Sequence, residues 1–271
     1  MISLFKKLKE KYLSFRRKQE EKRINSYASL IRKLNVHKLE RKAAIDFFCS
    51  LNHYPEIGVK NLLKRFDFSD DNSIVDSKEK EQALEGIIGY GEPAISLLCG
   101  YLKEGERIGW AIKALLVLTS DQRVSQELFT SLNLNEIDFD QGQVEKNYDI
   151  LSHLCDFEFY GRDEDAKKVA HFLKTKDERV RLVATELMTE RIIPSQQGDQ
   201  PVAPKFLGYV EPFVYDESPE NTRVRMTVIE AYVKHGWALK DKDRFSRFRI
   251  PGFTIHSQGL ISQDSESVES S

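Results

Sequence analysis

The sequence predicts an all-α protein built from helical hairpins. Apolar residues recur at spacings of three and four in eleven segments, and strand-like alternation is hard to find. The longer helical segments are 39–51, 78–90, 106–118, 143–155, 178–190 and 222–234. Shorter helical segments lie between them, at 56–66, 92–102, 123–132, 163–173 and 204–214. This alternation predicts pairs of helices along most of the chain.

Start and stop signals agree with this division. Pro93 falls in the first turn of one segment, where its missing N–H is harmless. Aspartates that can serve as N-caps and glycines that can end helices mark other boundaries: Asp121, Asp163, Asp177, Gly105 and Gly161. Two polar stretches, 67–79 and 192–204, are predicted to be connecting loops. Residues 262–271 are rich in Ser and acidic residues and are predicted to be disordered.

One short phrase occurs twice and favours a repeated structural unit. "KDERVRLVATEL" at 176–187 returns as "NTRVRMTVIEAY" at 221–232. Its paired arginines are candidates for phosphate binding. However, two earlier units, which enter their helices at Ile108 and Val144, keep the apolar pattern without the paired arginines. The phrase is therefore interpreted as part of a stacking unit, with Val180 and Val224 in the core.

The segments "KDERVRLVATELM" and "YGEPAISLLCGYLKEGERIGWAIKALLVL" resemble HEAT repeats, particularly the bacterial type. In that family an acidic turn followed by Val-Arg opens a helix, and the matching residues are Asp177, Val180, Arg181, Val224 and Arg225. The resemblance covers about residues 35–250. It implies a right-handed α-solenoid of about five to six HEAT-like hairpins, a fold that mostly binds other macromolecules.

Three positions depart from the family pattern. Asn221 occupies the turn where an acidic residue is expected, Glu145 replaces the arginine of one unit, and Gly109 that of another. Those units rest on spacing and apolar pattern alone. The predicted organisation is a basic amphipathic helix region at 1–34, a HEAT-like domain at 35–250 and a tail at 251–271, disordered from about 262.

The composition is typical of a protein with a buried hydrophobic core, and the charge is unevenly distributed along the chain. Hydrophobic residues make up 40% and charged residues 31%. Residues 1–23 hold nine Lys/Arg against three Asp/Glu, so the remaining residues carry a net charge of −8 although the whole chain carries only −2. Cys49, Cys99 and Cys155 lie in apolar runs without metal-site or disulfide spacing, which favours a reducing compartment.

The sequence predicts no membrane-spanning helix and a cytoplasmic location. No segment approaches 18 consecutive apolar residues, the length that a membrane-spanning helix needs. Residues 1–15 do not form a secretory signal peptide, because lysines interrupt the apolar run that such a signal requires. A peripheral position on the inner membrane face is the alternative location.

No motif points to catalysis, a cofactor or a metal. The six histidines form no metal-spaced cluster. In the acidic stretch 136–145, Gly142 is misplaced for a calcium loop and no bidentate glutamate follows at the right distance. Phosphate-binding, nucleophile-elbow and zinc-protease motifs are absent from the sequence. We therefore expect a protein that is not an enzyme, has no cofactor and takes no small-molecule substrate.

The first candidate functional site is the basic amphipathic stretch at the start of the chain. Met1, Phe5, Leu8, Tyr12 and Phe15 recur at intervals of four and three and form one helical face, with lysines and arginines around it. Such a helix can dock on an anionic lipid surface, cap the first repeat, or pack on a partner. The candidate lipid contacts are Leu4, Phe5, Lys6, Lys7, Leu8, Lys9, Lys11, Tyr12, Phe15 and Arg16.

A second candidate site lies in 237–253, where cations alternate with aromatic residues. Such a pattern can bind single-stranded nucleic acid, but terminal repeats also use aromatics to close a core. The candidate anion-binding residues are Lys240, Lys242, Arg244, Arg247 and Arg249.

The sequence thus favours a non-enzymatic adaptor that holds a protein partner and docks on the membrane through its first helix. A nucleic-acid-binding protein of the DNA-glycosylase-like kind is the alternative, and the acidic balance of residues 24–271 weighs against it. A helper of chromophore attachment is a third interpretation and rests on fold resemblance alone.

Overall fold

The computed structural model describes residues 2–32, 36–134, 140–195, 205–241 and 252–264; the side chains of residues 2–13, 16 and 195 are outside this description. The described chain is mostly helical, as predicted. Its contacts divide it into two compact units, Met1–Ser120 and Asp121–Ser271. The predicted domain boundaries near residues 34 and 250 stay predictions.

The first unit consists of six helices, which are α1 (Ile2–Arg32), α2 (Lys38–Cys49), α3 (Pro55–Leu63), α4 (Ser73–Gly89), α5 (Glu92–Glu104) and α6 (Gly109–Leu118). Helices α2, α4 and α6 pack side by side. Helix α3 packs on α5 and also on α2 and α4, and α5 packs on α6. Helix α1 packs on α2 and, more lightly, on α3. The core lies between these two sets of helices, as the full burial of Ile45, Val59, Leu98 and Ile112 indicates.

The second unit contains helices of similar length followed by a small sheet. Its elements are α7 (Asp121–Ser131), α8 (Gln141–Cys155), α9 (Asp163–Phe172), α10 (Glu178–Leu187), a π-helical turn (Met188–Ile192), α11 (Ile193–Ser195), α12 (Leu207–Val214), a 3₁₀ turn (Pro219–Asn221), α13 (Thr222–His235), β1 (Phe253–Ile255) and β2 (Ile261–Gln263). Helix α10 packs between α8 and α13. Helices α7, α9 and α12 pack on α8, α10 and α13 respectively.

Local chemistry explains where helix α10 begins. Asp177 is its N-cap and accepts hydrogen bonds from the backbone N–H groups of Arg179 and Val180. Val180 and Ala184 then face the core, one turn apart. Val224 is buried in the same way in α13. The placement of Val180 and Val224 in the core is confirmed.

Two stretches that were predicted to be irregular contain regular structure. Helix α4 begins at Ser73, inside the predicted loop 67–79, because Asn72 caps it by accepting from the N–H of Val75. Strand β2 occupies part of the tail that was predicted to be disordered from about 262, and it pairs with β1 in an antiparallel hairpin. Residues 265–271 lie outside the described residues.

The hairpin is attached to the segment that follows α13. Ala238 forms a bridge with Leu260, and the N–H of Leu239 donates to the carbonyl of Gly259 at 2.9 Å. Ile261 is 5% exposed and Leu239 is equally buried, so the hairpin contributes apolar side chains to the core of this unit. The prediction of an all-α chain misses this hairpin because its strands are only three residues long.

Candidate functional site

Helix α1 has two halves with different surroundings. In the half nearer α2, the side chains of Glu20, Ile24, Tyr27, Ala28 and Ile31 are partly or fully covered, whereas most positions between them are exposed. These covered positions follow the spacing of one helical face. This half of α1 therefore lies on the body of the first unit.

Aromatic contacts hold this face in place. The ring of Tyr27 stacks on Phe47 of α2 with 4.5 Å between centroids, and the guanidinium of Arg23 lies 5.4 Å from the Phe47 ring. Ile31 is fully buried. The predicted capping role is consistent with this half of the helix.

The other half of α1 is not covered where its side chains are described. Ser14, Phe15, Arg17, Lys18 and Gln19 are all exposed, and together they cover somewhat more than half of the helix circumference. Phe15 is 61% exposed. The backbone is helical from Ile2, as predicted. Apart from Phe15, the predicted lipid contacts have side chains outside the described part.

The apolar faces of the two halves point in different directions. At about 100° per residue, the sequence positions 1, 5, 8, 12 and 15 centre roughly 120° around the helix from the covered positions 20, 24, 27, 28 and 31. The apolar face of 1–15 is therefore not a continuation of the face that packs on the body.

The second candidate site is described only at its first residue. Lys240 is exposed, and its backbone N–H donates to Oε1 of the buried Glu211 at 2.8 Å. Lys242, Arg244, Arg247 and Arg249 lie outside the described residues. The neighbouring Trp237 is 2% exposed and packs edge-on against Tyr232, so it closes the core of its unit.

The arginines of the repeated phrase bond within the second unit. Arg179 of α10 forms an ion pair with Glu145 of α8 at 2.8 Å, and Arg223 of α13 lies 3.8 Å from Glu178 of α10. Arg181 is 8% exposed and donates to three backbone carbonyls, including that of Glu220. These contacts link α8, α10 and α13, which supports the stacking interpretation over a phosphate site.

The first unit contains a buried ion network that was not predicted from the sequence. Each cation of the network contacts at least one carboxylate. The cations are Arg41, Arg65 and Lys80, and the carboxylates are Asp70, Asp76 and Glu79. Arg41 contacts Asp70 at 2.9 Å and Glu79 at 3.2 Å. Arg65 is fully buried and contacts Glu79 at 2.9 Å and Asp76 at 2.6 Å. The network joins α2, the 64–72 connection and α4.

The network lowers the pKa of its aspartates. Burial raises the pKa of Asp76, but hydrogen bonds from Lys80 and Arg65 and from the N–H of Asp70 outweigh it and bring the pKa to about 2. A hydrogen bond from Arg41 lowers the pKa of Asp70. These carboxylates therefore stay ionised at all physiological pH values and hold the arginines in place.

A groove of about 720 Å³ opens in the second unit between the surfaces of α8, α10 and α13. Carboxylates outnumber cations in its lining, which consists of Cys155, Glu186, Glu190, Arg191, Thr227, Glu230, Ala231 and Lys234. Lys234 is paired with Glu190, and Arg191 donates to the carbonyl of Cys155. The exposed Glu186 and Glu230 leave the groove with an acidic character.

Two of the cysteines have thiols whose reactivity is reduced by burial. Burial raises the pKa of the Cys155 thiol to about 12 and that of Cys49 to about 11, so both are protonated at neutral pH and are poor nucleophiles. No group of three or more His, Cys, Asp or Glu in the described ranges is arranged to hold a metal ion. Among the described helices, none combines the length and apolarity needed to cross a membrane.

Comparisons of the chain with protein-family models, with curated protein sequences and with solved structures return no match.

Proposed function

We propose that the chain is a peripheral membrane adaptor, in which the basic half of α1 docks on an anionic lipid surface and the helical body holds a protein partner. The observation that carries this proposal is the exposure of the described side chains from Ser14 to Gln19, a stretch that the predicted apolar face of 1–15 reaches at Phe15. Phe15, at 61% exposed, is the described member of that face.

The chemistry of this half of α1 suits a lipid headgroup region. Residues 1–23 carry an excess of six positive charges, and each basic residue near an anionic surface contributes on the order of 1 kcal/mol. Burial of one Phe side chain at the acyl boundary contributes about 1.5–3 kcal/mol. Both contributions are needed, because a single weak anchor gives only marginal binding.

The helical body supports the second half of the proposal. Helix pairs in both units pack on neighbouring pairs, and ion pairs from α8 to α10 and from α10 to α13 repeat the same arrangement. We interpret this arrangement as a right-handed solenoid of five to six HEAT-like hairpins, a scaffold that binds macromolecules along its surface. The acidic groove of the second unit favours a basic protein segment over nucleic acid.

Vesicle co-sedimentation of the full-length chain tests the membrane role. We expect binding to vesicles that contain phosphatidylserine and little binding to phosphatidylcholine vesicles. Phe15→Ser should weaken the binding about tenfold or more, because a side chain worth about 1.5–3 kcal/mol no longer enters the lipid. Ser14→Ala is the matched control, since Ser14 is exposed and lies about 100° around the helix from Phe15.

Three results would contradict the membrane role: no binding by the wild-type chain, equal binding to both kinds of vesicle, or unchanged binding by Phe15→Ser. The adaptor role has a separate test. Proteins captured by the wild-type chain should be lost with Glu186→Lys and kept with Glu164→Lys, an exposed site at the start of α9. Capture that is indifferent to both changes would exclude the acidic groove as the binding surface.

A further inference from the structure

Ser69 lies where two cations from different elements meet. It is exposed in the connection between α3 and α4. Nζ of Lys80, from α4, lies 3.3 Å from its Oγ, and Nη1 of Arg107, just before α6, also donates to this oxygen. A neutral hydroxyl is a weak partner for two cations, since charge-assisted hydrogen bonds to an anion are about twice as strong.

Of the two cations at the Ser69 hydroxyl, Lys80 is paired with a carboxylate and Arg107 is not, among the residues that the structure describes. The buried network balances three cations with three carboxylates, and Lys80 in it is held by Asp76 at 2.8 Å. Arg107 adds a further positive charge, and no carboxylate lies within ion-pair distance of it among the residues that the structure describes. The nearby Asp67 accepts a hydrogen bond from Tyr101 at 2.7 Å and is exposed, as is Asp71.

We propose that Ser69 is a phosphorylation site whose phosphate is held by Arg107 and Lys80. The donor is a nucleoside triphosphate bound by a protein kinase. The Ser69 oxygen forms a bond to the γ-phosphorus, the bond from that phosphorus to the β,γ-bridging oxygen breaks, and the nucleoside diphosphate leaves. The hydroxyl proton passes to the basic residue of the kinase.

The position of Ser69 suits such a modification. Its side chain is exposed on a connection rather than within a helix, so a kinase can reach it. Asp70 and Asp71 follow it directly and form the acidic flank that one class of kinases selects. The Asp70 carboxylate pairs with Arg41 at 2.9 Å, so it does not compete for Arg107.

A phosphate at this position would connect three elements. It would pair the connection before α4 with Lys80 of α4 and with Arg107 at the entrance to α6, and a phosphate opposite such cations gains one to three charge-assisted hydrogen bonds. The modification is thus expected to strengthen the attachment of the segment 66–72 to Lys80 and Arg107.

The test uses the full-length chain with phosphoserine installed at position 69 and follows the second pKa of the phosphate by ³¹P NMR titration. Pairing with two cations stabilises the dianion, so we expect this pKa to lie roughly 0.5–1 unit below its usual value of about 6. The shift should fall by about half in an Arg107→Gln background, which changes an exposed side chain and leaves the buried network intact.

Phosphoserine at position 50 is the matched control, because the Ser50 hydroxyl is exposed and donates only to the carbonyl of Phe47. Its pKa should not be lowered. The proposal is overturned if phosphoserine 69 titrates like phosphoserine 50, or if Arg107→Gln leaves its pKa unchanged. It is also overturned if a kinase that selects acidic flanks modifies the serines of 265–271 and never Ser69.

Discussion

Gly259 is required at its position for two separate reasons. Its φ of 85° lies in the left-handed region, and a Cβ there would come within 2.8 Å of the carbonyl oxygen of Leu239. Gly252 has a similar φ of 84°, but a Cβ would meet nothing within 4 Å. Gly252 precedes β1 and Gly259 lies in the turn before β2. A substitution at Gly252 therefore tests backbone strain alone, and one at Gly259 tests strain together with close packing.

The pair predicts different costs for the same substitution. Gly252→Ala should lower the free energy of unfolding by about 1 kcal/mol through strain alone. Gly259→Ala should cost about 2–3 kcal/mol and detach the hairpin from Leu239, because strain and collision add. Denaturant titration measures both costs, and hydrogen exchange at the Leu239 N–H reports the detachment. Equal costs would show that the close approach to Leu239 does not matter.

Asp76 predicts a pH dependence of stability. Its pKa is about 2 in the folded chain and near 3.8 when unfolded, so the folded chain favours the ionised form. The stabilisation is therefore fully present above about pH 4 and is lost as the pH falls through about 2. The difference in unfolding free energy between wild type and Asp76→Asn should shrink over that range. A difference that stays constant from pH 5 to 2 would contradict the assignment.

At the scale of elements, Arg181 joins the start of α10 to its neighbours. Nη1 donates to the carbonyls of Thr175 and Lys176 at 2.7 and 2.8 Å, and Nη2 donates to the carbonyl of Glu220 at 3.0 Å. The last of these carbonyls belongs to the 3₁₀ turn that precedes α13. The related Arg225 donates to the carbonyl of Val214, at the end of α12. The second arginine of each Arg-Val-Arg phrase thus satisfies carbonyls at element ends.

The two arginines of "RVR" should therefore differ in importance. Arg181→Met should lower the free energy of unfolding by about 2–3 kcal/mol, because buried carbonyls lose their donors. Arg179→Met should cost about 1 kcal/mol or less, because its pair with Glu145 is exposed. Thermal or denaturant unfolding of the two variants checks the order. The reverse order would mean that the exposed ion pair between Arg179 and Glu145 contributes more to stability than the buried hydrogen bonds of Arg181.

The helices could be predicted from the sequence, whereas the buried ion network and the β1–β2 hairpin could not. Buried faces of helices repeat every three to four residues, so segments such as 163–173 stand out by pattern. Arg41 and Arg65 look like surface residues in a sequence, because burial depends on partners brought from other elements. The spacing of Asp76, Glu79 and Lys80 on one helical face was the available signal. The candidate site was predictable as an amphipathic pattern, but the direction of its apolar face required the packing of Tyr27 and Ile31.

At the scale of the whole molecule, charge is unevenly distributed. Residues 1–23 carry +6 and the rest −8, so attraction to an anionic surface is confined to one end of the sequence. The remaining charge is repelled by that surface. The distribution favours contact through α1 alone.

The proposed docking should therefore depend strongly on salt. Raising the salt from roughly 0.05 to 0.5 M shortens the screening length to about 4 Å and should weaken binding to anionic vesicles at least about tenfold. The apolar contribution should persist, so Phe15→Ser should remain weaker than wild type at both concentrations. Binding that does not change with salt would show that headgroup charge plays no part.

The attachment of the hairpin has a consequence for how the chain responds to cleavage. Ala238 and Leu239 touch Leu260 and Gly259, so the chain between them forms a closed ring that is completed by hydrogen bonds rather than by a covalent bond. A protease cut between Lys242 and Pro251 would divide the polypeptide without releasing its last part. The two fragments would migrate together under native conditions and separate only in denaturant. A single band on a native gel would therefore not prove that the polypeptide is uncut.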